Sequence, residues 1–212
     1  MSLQQVCRTE VRFLAMVALT AAAARAEVPG LVISEVDYDQ PGTDNHEWIE
    51  IQNTLDFEIQ ARGLHLVLYD GDLNGSCQEY CDVDLTILQV IPEGSYIVIG
   101  AQPCAVLPLC TSTDAIHNTV PGGMAIVGPH GVIDSVEYGS DLIHSTCNFN
   151  LIPLRDRDSQ EGSLQFCIQS TPPYNGTWSF DPTPTPCAAS DCTATDVPFA
   201  PARWGSVKSL YK

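Results

Sequence analysis

The chain has 212 residues and a formal net charge of −17, from 9 Lys or Arg against 26 Asp or Glu. A surface this acidic repels phosphate backbones, so we expect no nucleic-acid partner, while cations are attracted. The 15 glycines and 15 prolines favour one domain with many turns.

Residues 1–26 have the pattern of a secretory signal peptide. Arg8 and Arg12 make the start basic, residues 13–24 are apolar but too few to span a bilayer, and Ala24-Arg25-Ala26 is a small-x-small cleavage site. We expect cleavage after Ala26 and a secreted or cell-envelope location; an uncleaved anchor is the alternative. The leader carries three arginines and one glutamate, so its removal takes the net charge from −17 to −19. No other stretch approaches the roughly 20 apolar residues of a membrane helix, so none is expected in the mature chain.

The first predicted strand opens the mature domain at residues 31–37. Apolar residues alternate with others there, which predicts a half-buried strand. The alternation puts Leu31, Ile33 and, by extension, Glu35 on one face, with Val36 on the other.

A second alternating run, at residues 48–53, follows an acidic loop that contains Pro and Gly. Its period predicts that Ile49 and Ile51 point into the core, with Glu50 solvated or hydrogen-bonded on the opposite face. Trp48 and Trp178 are expected to pack in the core or at its rim; sugar stacking by an exposed Trp is the alternative.

Strands and turns then alternate along the chain, and no useful helical period occurs in the mature part. A loop without periodicity is predicted at 101–121 and a long one at 139–161, and residues 181–186 are too rich in Pro for a central strand. Further strands or extended runs are predicted at 64–69, 77–81 with 83–88, 96–99, 123–127, 132–138 and 163–168, and residues 177–180 lead into the Pro-rich segment. The pattern favours an all-β sandwich of two sheets over residues 27–190.

Eight cysteines remain after cleavage, an even number that predicts disulfides in an exported chain. They are Cys77, Cys81, Cys104, Cys110, Cys147, Cys167, Cys187 and Cys192. Many pairings are open; we favour closure between neighbours, namely Cys77–Cys81, Cys104–Cys110, Cys147–Cys167 and Cys187–Cys192. A zinc site is the alternative, although no paired C-x-x-C spacing occurs.

An ordered set of segments resembles the lamin-tail domain as it occurs in secreted bacterial proteins. The segments are 31–37, 47–53, 63–68, 91–99, 125–127 with 132–139, 162–166, and Trp178 with Pro184-Thr185-Pro186. The resemblance implies an immunoglobulin-like sandwich, stapled here by disulfides, and an interaction or accessory role without general catalytic residues. We therefore expect a secreted, non-catalytic interaction or scaffold module, whose partner is an unknown protein or cell-surface component.

Two acidic loops offer oxygen ligands for calcium. The stretch Asp70-Gly71-Asp72-Leu73-Asn74-Gly75 reads as the first half of a calcium loop, with Asp70, Asp72 and Asn74 as ligands. The opening loop adds a second set of donors, Asp37, Asp39, Asp44 and Glu47. A calcium-dependent cell-surface or polysaccharide-binding protein is therefore the alternative function, and ordinary solvated turns are the alternative structure.

Signals of catalysis are weak, and no catalytic residue is predicted. Neither an H-E-x-x-H nor a G-x-S-x-G motif occurs. Glu35 and Glu50 could approach each other as paired carboxylates on neighbouring strands, which leaves a small secreted hydrolase as a weaker alternative.

Residues 191–212 form a linker and a basic, aromatic tail. Both lysines of the chain lie there, and the expected recognition residues are Trp204, Lys208, Tyr211 and Lys212. We expect the tail to act in location or attachment; a disordered terminus is the alternative.

Overall fold

The computed structural model describes residues 30–71, 77–111, 114–118, 122–138, 147, 149–152, 162–168 and 176–189. The predicted leader, the ligands Asp72 and Asn74, Cys192 and the four tail residues lie outside these ranges.

The described chain is built almost entirely of strands. They are β1 Leu31–Asp37, β2 Trp48–Asn53, β3 Ile59–Gln60, β4 His65–Gly71, β5 Cys77–Asp84, β6 Val90–Ile91, β7 Tyr96–Gly100, β8 Gly122–Gly128, β9 Gly131–Tyr138, β10 Asn150–Leu151, β11 Ser163–Ile168 and β12 Gly176–Asp181. A short 3-10 helix, Leu85–Leu88, follows β5 where an extended run was predicted, because the Asp84 side chain accepts a hydrogen bond from the Thr86 N–H and caps it.

Two five-stranded sheets enclose one core. The first has the order β12-β11-β1-β2-β7, the second β10-β9-β8-β4-β5, and β3 with β6 forms a small third sheet. Apolar side chains from both large sheets belong to a single buried cluster. The prediction of a disulfide-stapled all-β sandwich is confirmed. No helix of the described part is long and apolar enough to cross a membrane.

The predicted register of β2 is confirmed. Ile49 and Ile51 are fully buried in the core cluster. Glu50 lies on the opposite face, where its carboxylate accepts hydrogen bonds from the Ser34 hydroxyl and the Cys187 N–H. It is 1% exposed, so it is hydrogen-bonded rather than solvated. Trp48 is also fully buried, and Trp178 belongs to the core cluster, so both tryptophans pack as expected.

The predicted face of Glu35 is wrong because β1 contains a bulge. The pairing of β1 with β2 shifts between Ile33 and Glu35, and one extra residue reverses the faces of those that follow. Val36 therefore enters the core, while Glu35 turns outward to Ser163 and Gln165 of β11.

The predicted pairing of neighbouring cysteines is wrong. The observed bridges are Cys77–Cys147, Cys81–Cys110 and Cys104–Cys187, and Cys167 is also disulfide-bonded. Cys77 and Cys81 both lie on the extended strand β5. Four residues of strand span about 13 Å, whereas bridged cysteines need Cα atoms within about 7 Å.

We expect no free thiol in the mature protein, because all seven described cysteines are in disulfides. Alkylation under denaturing, non-reducing conditions should label no cysteine, and a non-reduced digest should join the Cys81 peptide to that of Cys110. Two or more labelled cysteines, or a Cys77–Cys81 bridge, would show that the assignment of the disulfides is wrong.

Candidate functional site

Two acidic segments meet at one end of the sandwich: the β1–β2 loop and Asp70, which starts the second predicted loop, whose residues 72–75 lie outside the described ranges. Asn118 Nδ2 donates to Asp44 Oδ2 at 2.7 Å and to Asp39 Oδ1 at 3.4 Å, both in the β1–β2 loop. The adjacent His117 places Nδ1 2.7 Å from Oδ1 of Asp70, at the end of β4. Residues 117–118 thus bridge the β1–β2 loop and Asp70. We call Asp39, Asp44, Glu47, Asp70 and Asp114, with these two bridging residues, the acidic end.

Tyr80 of β5 holds the bridging segment in place. Its ring stacks on the His117 imidazole, with centroids 4.0 Å apart and planes at 5°. Its hydroxyl accepts a hydrogen bond from the His117 N–H at 3.2 Å and donates to the Ala115 carbonyl at 3.3 Å. These contacts fix the backbone of residues 115–117 against the second sheet.

Glu47 is the most deeply buried carboxyl group of the acidic end, at 2% exposure. The backbone N–H groups of Ala115 and Ile116 donate to its two oxygens, the latter at 3.0 Å. Burial raises the pKa of Glu47 to about 8; the two hydrogen bonds oppose this, and the charges of Asp44 and Asp114 add to it. Glu47 therefore takes up a proton readily near neutral pH.

Three carboxylates of the acidic end are close enough to share a cation. Asp44, Glu47 and Asp114 each offer an oxygen within 4.8 Å of the others. The Asp114 N–H donates to the Asp44 carbonyl at 2.9 Å, which holds two of the three together. Burial raises the pKa of Asp44, and the neighbouring charges of Asp39 and Asp114 raise it further. Carboxylate oxygens in this arrangement suit a hard cation such as calcium.

The sequence predicted only part of this trio. Asp44 and Glu47 were candidates, but Asp114 lies in the aperiodic segment 101–121, where nothing marked it. Asp37 is excluded from the trio, because its Oδ2 accepts a hydrogen bond from the Trp48 indole at 3.1 Å and its Oδ1 from Gln40 Nε2 at 2.6 Å. Asp37 thus positions the loop.

A cavity of about 380 Å³ opens beside Glu47. Its lining consists of Asn45, Glu47, Gly100, Ala101, Pro108, Leu109, Cys110, Thr111 and Ala115. Gly100 has φ +139° there, and a Cβ would lie 2.3 Å from the Glu47 carbonyl oxygen, so only glycine fits. The cavity is mostly apolar, with one buried carboxyl group in its wall.

Glu35 and Glu50, the predicted paired carboxylates, are directly opposed on β1 and β2. They lie on the outer face of the first sheet and are 0% and 1% exposed. Residues 185–187 cover them, since the N–H groups of Thr185 and Cys187 donate to their oxygens. The pair is therefore assembled as expected, but beneath a covering segment.

No protein-family model matches the chain, and no curated protein is significantly similar to it. The lamin-tail resemblance stays a prediction.

Proposed function

We propose that the protein is an exported, non-catalytic interaction module of lamin-tail type that binds its partner through the acidic end. The observation that carries the proposal is that residues 117–118 join Asp70 of β4 to Asp39 and Asp44 of the β1–β2 loop. The β-sandwich agrees with the fold that the resemblance implies. Because one fold serves many functions, the proposal rests on this surface rather than on the fold.

Disulfides at the acidic end support a preorganised binding surface. Cys81–Cys110 ties the segment that lines the cavity to β5, and Cys104–Cys187 ties its other end to residues 182–189. Loops that are already ordered lose less conformational entropy on binding, so more of the contact energy contributes to affinity. Disulfides of this kind also favour an oxidising, extracellular compartment.

The charge distribution favours a cationic partner. Arg62 is the single Lys or Arg among the described residues, and it is exposed. Several carboxylates thus act together at the acidic end, where no described Lys or Arg offsets them. Such a field steers cationic protein surfaces into contact and repels nucleic acids.

The test compares two variants that each remove three negative charges. Asp39→Asn/Asp44→Asn/Asp114→Asn changes the acidic end, while Asp56→Asn/Glu58→Gln/Glu93→Gln changes exposed acids elsewhere. Binding of the labelled mature protein to cells of the native host is expected to weaken at least about tenfold in the first variant, since charge complementarity controls encounter. The second variant should bind like wild type. Equal binding by all three proteins, with matched melting temperatures, would overturn the proposal.

A calcium-dependent binder is the second candidate, favoured by the trio of Asp44, Glu47 and Asp114. Calcium that binds only the native state must raise the melting temperature. At a calcium concentration of 100 times the dissociation constant, the free energy of unfolding should rise by about 2.7 kcal/mol. Magnesium should do less, because it demands stricter geometry. Asp44→Asn should abolish the calcium effect and the exposed control Asp56→Asn should not. An unchanged melting curve in millimolar calcium would exclude this candidate.

A further inference from the structure

Residues 182–189, which we call the strap, lie across the outer face of the first sheet. The Thr185 N–H donates to Glu35 Oε1 at 3.1 Å, and the Thr185 hydroxyl donates to Glu35 Oε2 at 3.2 Å. The Cys187 N–H donates to Glu50 Oε2 at 2.8 Å. The contacts of the strap with the sheet therefore converge on two adjacent glutamates.

The sequence of the strap explains this spacing. In Asp181-Pro182-Thr183-Pro184-Thr185-Pro186-Cys187, every second residue is proline, which has no N–H to donate. The remaining donors are the N–H groups of Thr183, Thr185 and Cys187. They donate in turn to three carboxylates, those of Asp181, Glu35 and Glu50.

The disulfide Cys104–Cys187 fastens the strap, and it is the most accessible of the three bridges between described cysteines. Cys104 is exposed and Cys187 is half-buried. Each of the other two bridges has a buried half, Cys81 at 3% and Cys147 at 7% exposure. Each bridge has one exposed cysteine, but only in Cys104–Cys187 is neither cysteine buried, so a reductant can approach it from either side and we expect it to react first.

Glu50 gives the closed strap a dependence on pH. Burial raises the pKa of Glu50 to about 7; the hydrogen bonds from Ser34 and Cys187 oppose this, and the charge of Glu35 adds to it. Glu35 faces it from β1 and Tyr96 lies near it on β7, while the strap brings no charged side chain. Ionising both glutamates places two buried negative charges side by side, which weakens the closed state.

We propose that the strap is a releasable clasp, which reduction of Cys104–Cys187 by a dithiol unlocks and ionisation of Glu50 then opens. The dithiol gives two electrons and two protons to the bridge, becomes a cyclic disulfide, and leaves Cys104 and Cys187 as thiols. Opening uncovers the glutamate pair. The other described bridges remain intact, so the sandwich itself stays folded.

The first arm of the test uses the wild-type protein. Under native conditions at pH 7.5, limiting dithiothreitol followed by alkylation and mass spectrometry should label Cys104 and Cys187 at least about tenfold faster than Cys81 and Cys110, since exchange rates follow access. Labelling of all bridges at one rate, or of Cys81 first, would overturn the proposal.

The second arm measures amide hydrogen exchange in Cys104→Ser/Cys187→Ser, corrected for the intrinsic dependence on pH. Opening the strap exposes Glu50 and lowers its pKa from about 7 towards its ordinary value, so the closed state binds the proton more tightly and is lost as pH rises towards 7. Protection at positions 185 and 187 should fall up to about tenfold for each pH unit between about 5 and 7.

Adding Glu50→Gln should weaken that dependence, and adding Glu35→Gln as well should remove it, because burial also raises the pKa of Glu35. Cys81→Ser/Cys110→Ser, which leaves the clasp locked, should keep the strap protected. Protection that is the same at pH 5 and pH 8 in the unlocked variant would overturn the proposal. A response to pH that survives both glutamine substitutions would do the same.

Discussion

Replacing Ile51 with alanine is expected to destabilise the protein by about 2–5 kcal/mol, because it opens a cavity in a packed core. Ile51 is fully buried at the centre of the first sheet, where β2 pairs with both β1 and β7. Its neighbour Gln52 points to the other face, is half-buried, and donates to the Tyr96 hydroxyl at 3.0 Å. Gln52→Ala should cost about 1 kcal/mol, the usual value of one such hydrogen bond.

Urea denaturation of the two variants with the disulfides intact measures both losses. Because a shift of one residue reverses every side chain of a strand, equal losses would mean that the register of β2 is wrong.

The free energy of unfolding is expected to fall as pH rises from about 5 to about 8. Burial raises the pKa of Asp134 to about 6, of Glu50 to about 7 and of Glu47 to about 8, from ordinary values of 3.8, 4.5 and 4.5. A raised folded-state pKa means that the native protein holds the proton more tightly than the unfolded chain. The resulting stability is complete below the unfolded pKa and is lost as pH rises through the folded one.

Glu47→Gln and Glu50→Gln should each flatten the upper part of this pH profile. Each ionisation is expected to cost on the order of a few kcal/mol by pH 8, since one pKa unit corresponds to about 1.4 kcal/mol. The exposed control Glu58→Gln should leave the profile unchanged. Chemical denaturation at several pH values measures the effect. Stability that is constant between pH 5 and 8, or that declines equally in all variants, would contradict the assignment of these protons.

The elements predicted best were those whose periodicity is purely local. The hairpin with its turn at 128–131 appears as β8 and β9, and the apolar run 96–99 forms the first four of the five residues of β7. Turn residues and alternation within a single run determine such elements. The bulge in β1 arises from its pairing with β2 and β11. The residues of β1 alone do not indicate that pairing.

Long-range contacts account for most of what the sequence did not predict. Cys104 and Cys187 are 83 residues apart, and spacing along the chain says nothing of their proximity. Asp114 joins the trio only because residues 114–118 fold back onto the β1–β2 loop. β10 lies within the predicted loop 139–161 and exists through parallel pairing with β9. The alternating prolines of the strap are visible in the sequence. The carboxylates that accept its hydrogen bonds lie on other strands, and the sequence does not show that they are close to it.

Site-specific photo-cross-linking in the native host tests the central claim, binding through the acidic end, most directly. A photoreactive amino acid replaces Asn45, exposed beside the cavity, or Glu93, exposed in the turn before β7. The residues that follow that turn run along β7 towards the acidic end, where Gly100 pairs with Trp48, so Glu93 lies at the opposite end. A covalent adduct with an envelope component is expected from position 45 and not from position 93. Adducts from position 93 alone, in equal yield from both, or from neither would contradict binding through the acidic end.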